Sequence, residues 1–192
     1  MRQMRGPLWV LAGALAVGGL VAWLALRPAG PADVVADLVE ALPTARERRP
    51  SAEAFRVVDA SLGGVTRRSI LVRDPSRLVY SVRVPDRATL LVSLGIAESA
   101  WTTEGDGVLF RILVAGPDRD QQEVVHRVVS PFTTPADRGW QDVEVSLAPY
   151  AGRTIDVFFN TNASLPGQDD RRGDEALWGA PRVVAPETPP RP

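Results

Sequence analysis

Cysteine is absent from the 192 residues. That excludes disulfides, thiolate zinc sites, cysteine-ligated iron–sulfur clusters and cysteine nucleophiles, and it removes a lipid-modified cysteine as a means of attachment to a membrane. Lysine is absent too, so every basic side chain other than His126 is an arginine; with abundant Ala, Val and Pro this reads as codon bias in a GC-rich genome. Net charge is close to nil: 22 basic and 23 acidic residues leave a formal −1. The arginines are scattered rather than gathered into a stripe that would neutralise phosphates, so the expectation is no nucleic-acid partner. His126, the one histidine, lies between Val125 and Arg127 in a predicted strand, and no G-x-S-x-G turn presents a serine. A Ser-His-Asp arrangement therefore has no starting point, and His126 reads as a surface or structural residue.

One long apolar run is present. Residues 8–26, LWVLAGALAVGGLVAWLAL, carry no charge, and as a helix at about 1.5 Å per residue they extend about 28 Å, close to the thickness of a bilayer's hydrocarbon core. Trp9 and Trp23 lie near the two ends, Arg2 and Arg5 precede the run and Arg27 follows it. A cleaved signal peptide is the rival reading. Against it, a signal's apolar region usually runs roughly 7 to 15 residues, and the first small-residue stretch, Ala29-Gly30, is followed by Pro31. The expectation is an uncleaved anchor, with residues 1–27 forming a cytoplasmic tail and one transmembrane helix. By the positive-inside bias, the protein is then single-pass in the cytoplasmic (inner) membrane, with its C-terminal domain outside the cytoplasm.

Residues 28–53 read as a linker. Val34, Val35, Leu38, Val39 and Leu42 form one short helical pattern, which Pro43 and the run Arg46 to Pro50 then break. Residues 185–192, APETPPRP, hold four prolines that cannot donate ladder hydrogen bonds and read as a disordered tail.

Between residues 54 and 184 the period is two. Val108, Phe110, Ile112 and Val114 alternate with Leu109, Arg111 and Leu113; Val143, Val145 and Leu147 alternate with acids and a serine; Ile155, Val157 and Phe159 alternate with Asp156, Phe158 and Asn160. Each reads as a strand with one buried face. Weaker candidates cover 55–59, 68–72, 77–84, 89–96, 123–129 and 181–184, with turn residues between them, among them Gly63-Gly64, Gly105-Asp106-Gly107 and Ala151-Gly152. Short strands without a long helix predict an all-β sandwich or jelly roll, and there is no room for the crossover helices of a parallel sheet.

The stretch 139–161, GWQDVEVSLAPYAGRTIDVFFNT, together with DGVLFRILV at 106–114 and ALWGAPRVV at 176–184, resembles the galactose-binding-domain-like jelly rolls of bacterial surface proteins, relatives of which accompany sulfatases and other carbohydrate-active enzymes. The resemblance implies a carbohydrate-binding-module-like domain. Such domains often bind glycans, and many only pack against a neighbour, so fold alone does not give function. Asp169, Asp170, Asp174 and Glu175 offer hard oxygen ligands, and the resemblance implies a structural calcium ion near the first and last strands. Arg171 and Arg172 interrupt that cluster and its spacing is not that of an EF-hand, so a solvated loop stands beside the calcium reading, with Asp174 and Glu175 the ligand candidates.

A sugar-binding face needs flat rings with polar neighbours. The candidates are Trp101, Trp140, Tyr150, Phe158 and Trp178. Trp140 and Trp178 lean toward core roles, Trp101 and Tyr150 stand beside predicted turns, and strict alternation turns Phe158 away from the core and under a loop. Two functions follow: an anchored, non-catalytic module for an envelope glycan or polysaccharide, tested first at Trp101 and Tyr150, or an interaction subunit docking on an envelope carbohydrate-active enzyme or assembly. Hydrolysis is the minor third, since nothing selects a pair of carboxylates.

Overall fold

The computed structural model describes residues 32–73, 75–118, 120–163 and 170–186. The apolar run 8–26 and the segment before it that is expected to be cytoplasmic, residues 28–31 of the expected linker, Asp169 and residues 187–192 of the expected tail lie outside the described residues. Among those described, no helix is long and apolar enough to cross a membrane.

Among the described residues, eleven strands form two antiparallel sheets. In chain order they are β1 (Ala32–Asp37), β2 (Glu47–Arg49), β3 (Arg56–Leu62), β4 (Val65–Arg73), β5 (Ser76–Arg83), β6 (Thr89–Ile96), β7 (Val108–Ala115), β8 (Gln121–Val129), β9 (Gln141–Ser146), β10 (Thr154–Ala163) and β11 (Glu175–Pro186). One sheet has the order β3-β4-β11-β6-β9, with β1 also paired to β11; the other runs β2-β5-β10-β7-β8. Every strand predicted within 54–184 is present. The alternation is the cause: Val108, Phe110, Ile112 and Val114 are all buried on the face that β7 turns inward, as are Ile155, Val157 and Phe159 of β10. Between the sheets these side chains meet Ile70, Leu90, Leu94 and Trp178 in one continuous core.

Two expectations are corrected at the ends of the domain. From Ala32 on, the segment expected to be a linker belongs to the sandwich. β1 pairs with the last part of β11, and β2 pairs with β5. Leu38, Val39 and Leu42 are buried in the core, whereas Val34 and Val35 are exposed on the strand, so the apparent helical stripe splits. The break comes at Asp37, whose Oδ1 accepts from the Val39 and Glu40 amides at 2.8 and 3.1 Å, turning the chain inward. The Tyr80 hydroxyl then donates to the Leu38 carbonyl at 2.6 Å. At the other end β11 continues to Pro186, opposite Ala32, and Ala185 is buried.

Phe158 does leave the core. It joins Val79, Leu113 and Ala115 in a second small cluster on the outer face of the five-stranded sheet. Rather than a loop, the guanidinium of Arg77 lies over it, 5.8 Å from the ring centroid.

Candidate functional site

The hairpin β3–β4 turns at Gly63-Gly64, where φ of 57° and 80° at successive positions matches the tight two-residue turn that only glycine adopts without cost. Its tip does not stop at the edge of its sheet. Trp140 Nε1 donates to the Val65 carbonyl at 2.8 Å, and the Gly63 amide donates to Glu98 Oε1 at 3.0 Å. Arg67 donates to Ser93 and, through both Nη groups at 2.7 and 3.3 Å, to Asp142. Ser93 and Asp142 belong to β6 and β9, on the far side of β11 from β4. The hairpin therefore reaches across β11 on the sheet's outer face.

That crossing needs space above the sheet. A Cβ on Gly179 of β11 would sit 2.6 Å from Cζ3 of Trp140, and one on Gly95 of β6 would collide with Leu62 and touch the indole at 3.3 Å. These two glycines form the seat of the Trp140 ring, with the Arg67 guanidinium 5.5 Å from its centroid. Just past Gly179 the pairing of β11 with β6 slips at a bulge, where Ala180 takes φ 42°. Strained non-glycine backbone of this kind persists only where neighbours enforce it, and it concentrates at functional sites. Here the bulge opens a cavity of about 230 Å³ against Arg67, Ser93, Asp142, Glu144 and Arg182.

The electrostatics of the cavity are balanced and fixed. Ser93 Oγ donates to Asp142 Oδ1 at 2.7 Å. That bond, then those from Arg67, with the nearby charges of Arg67 and Arg182, hold the Asp142 carboxyl below its ordinary range against the opposing effect of partial burial. Since the folded value lies below the unfolded one, Asp142 contributes stability in full above the unfolded value of 3.8 and loses it as pH falls through the folded value. Wild-type stability is therefore expected to fall more steeply than that of Asp142→Asn between roughly pH 5 and pH 2, measured by urea denaturation. Identical slopes for the two proteins would refute this.

The structure does not gather the five aromatic candidates into one site, Phe158 lying on the outer face of the five-stranded sheet. Trp178 is fully buried, edge-on to Phe110 and Phe159 at 4.9 and 5.0 Å, so it is core and cannot meet a ligand. Trp101 is partly buried against the core and spends its indole N–H on the Ile96 carbonyl at 2.8 Å. Tyr150 packs against the core from the opposite end of the sandwich, after β9, and its hydroxyl donates to Gln122 Oε1 at 3.0 Å. Trp140, which leans toward core on sequence grounds, instead lies on the outer face beside the cavity. Arg67, Ser93, Glu144 and Arg182 escape sequence reading. The signal available for them is a glycine interrupting each of two strands, in SLGIA and LWGAP, which marks a close approach from above.

The calcium candidates do not assemble. Glu175 accepts from Ser99 at 2.8 Å and from Arg73 at 3.1 Å, and these bonds lower its carboxyl despite partial burial. Asp170 is held by Arg172, and Asp174 is buried. Among the described residues no group of three or more His, Asp or Glu side chains is placed to hold a metal. Arg172, which interrupts the cluster in sequence, pairs with Asp170 in space and also feels the charges of Glu104 and Asp106.

No family model matches the chain. An uncharacterized protein of Archaeoglobus fulgidus is 37% identical over 105 residues, which is 53% of this chain and 25% of that protein. The chain thus spans about a quarter of the length of that curated relative. Among solved structures, the M60 catalytic domain with two CBM51 domains of Clostridium perfringens ZmpB superposes with a TM-score of 0.51 at 15% identity, covering 84% of this chain and 15% of that one. A CBM51 of a Clostridium perfringens GH95 protein, in complex with methyl-galactose, gives 0.41 at 15% identity over 84% and 97% of the two chains. TmCBM61 in complex with β-1,4-galactotriose gives 0.44 at 14% identity over 71% and 86%. At such identities a likeness speaks for fold alone, and the domain has the galactose-binding-like jelly-roll fold in which carbohydrate-binding modules are built.

Proposed function

We propose that the chain is a non-catalytic glycan-binding module whose ligand occupies the cavity on the outer face of the six-stranded sheet. The observation that carries this reading is the Arg67–Ser93–Asp142 network beside Trp140, with Glu144 and Arg182 on the same wall. Sugar hydroxyls donate and accept at once. A wall that alternates carboxylates with guanidinium groups answers both. Arg67, Ser93 and Asp142 are held by bonds to one another before a ligand arrives, which lowers the entropy lost on binding. The non-catalytic part of the reading is supported by the jelly-roll fold that the domain shares with carbohydrate-binding modules. The same proposal includes an anchor at residues 8–26 that keeps the domain outside the cytoplasm, resting on the uncharged run and its flanking arginines.

A glycan array probed with the full-length chain tests the module. Selective binding is expected, weakened about tenfold by Glu144→Ala or Arg182→Ala with unchanged melting temperature. If those variants bind as the wild type does, the cavity is the wrong place. If the array is silent and the chain co-purifies with an envelope protein, the interaction-subunit reading replaces this one. For the anchor, a reporter fused after Pro192 that works only in the cytoplasm would overturn the topology.

A further inference from the structure

The outer face of the five-stranded sheet carries a polar row that the cavity does not use. Strand pairing sets Arg77 of β5 beside Asn160 of β10, Asn160 beside Arg111 of β7, and Arg111 beside His126 of β8. At about 4.8 Å between strands, the row spans about 14 Å. Arg111 Nε donates to Glu123 Oε2 at 2.6 Å, and His126 Nδ1 shares that carboxylate at 2.7 Å. Glu123 is raised by its slight burial and brought below its ordinary range by those two partners.

Arg77 is placed differently. Its Nε donates to Asn160 Oδ1 at 3.3 Å and its guanidinium lies over the Phe158 ring, which is wedged between Val79 and Leu113. No carboxylate pairs with Arg77 among the described residues, and neither Nη group is engaged. The carboxylates of this face already have arginine partners, in the pairs Arg46–Asp156, Arg49–Glu47 and Arg111–Glu123. An unmatched guanidinium, stacked on an aromatic ring and pinned at Nε, has lost its rotamer freedom in advance and offers a planar two-pronged donor. That geometry suits a carboxylate better than it suits a hydroxyl.

We infer that this face binds an acidic polysaccharide, with Arg77 receiving the carboxylate of a uronate residue. The choice of a sugar acid rests on the proposed glycan-binding function, whereas the site itself is separate from the cavity on the six-stranded sheet, so variants at Glu144 or Arg182 and variants at Arg77 fail independently. Titration of the full-length chain with polygalacturonate, and with the same polymer fully methyl-esterified, tests the inference. Binding is expected to polygalacturonate and to fall about tenfold or more on esterification. Arg77→Gln is expected to lower affinity about tenfold. Arg77→Lys, which keeps the charge and loses the fork, is expected to do the same. Arg83→Gln removes equal charge from the same face away from the row and is expected to change affinity by less than about threefold. Equal affinity for the two polymers, equal losses in Arg77→Gln and Arg83→Gln, or no binding to polygalacturonate would each overturn it. Thermal melts of the variants guard against misfolding, and Arg77→Lys decides the matter should Arg77→Gln prove unstable.

Discussion

A chain that starts at Ser51 is expected to lose the cooperative fold, while one that starts at Ala32 keeps it. The shorter chain lacks β1 and β2 and leaves the β11 edge from Arg182 to Pro186 without its partner. It also removes Leu38, Val39 and Leu42, exposed by only 1%, 3% and 6%. Full burial of an aliphatic side chain of this size is worth about 1.5–3 kcal/mol, so the three together account for about 5–9 kcal/mol. That is comparable with the whole net stability of an ordinary domain, about 5–15 kcal/mol. The Tyr80 hydroxyl, buried and donating to Leu38, would lose its acceptor as well. Near-ultraviolet circular dichroism and urea denaturation of the two fragments check this. A cooperative transition in the Ser51 fragment, with a midpoint close to that of the Ala32 fragment, would show that the first two strands are dispensable.

Trp178→Ala is expected to destabilise the protein by about 3–5 kcal/mol, the range for truncating a large buried aromatic. Trp178 is at 0% exposure in the middle of the sandwich and links the sheets by edge-on contacts with Phe110 of β7 and Phe159 of β10. Such pairs add about 0.5–1.5 kcal/mol each beyond burial. Trp178→Phe, which keeps a ring between those neighbours, is expected to lose less. Denaturant midpoints measure both. The outcome that contradicts the core assignment is an Ala variant that melts like the wild type and fails only in ligand binding.

Local pattern accounts for most of the fold. Strands β7, β9 and β10 were legible because their side chains alternate between an apolar and a more polar face, and the other strands of 54–184 as short segments bounded by turn residues, properties carried by a few consecutive residues. β1 and β2 are a different case. β2 is Glu47-Arg48-Arg49, with no apolar alternation, and β1 exposes Val34 and Val35. Both owe their strand conformation to backbone groups that β5 and β11 leave open, and an open edge cannot be seen in the segment that will cover it.

The candidate sites show the same division. Trp140 and Phe158 stand out in the sequence as large aromatics, and alternation correctly turns Phe158 outward. Nothing near Trp140 announces that Gly95 and Gly179 will form its seat, or that Arg67 will meet Asp142 across 75 positions of chain. The pairing of Arg77 with Asn160 likewise joins residues 83 apart.

By itself, then, the amino-acid order determined an all-β sandwich, the inward faces of β7, β9 and β10 and the exclusion of cysteine and thiolate chemistry, because periodicity and composition are properties of short windows. Tertiary structure alone decided where the domain starts, which tryptophan is core and which lies on a surface, and which arginines are matched by acids. Those outcomes depend on strand order and on a hairpin folding across its own sheet, contacts between residues far apart in the chain that form only once both sheets are in place.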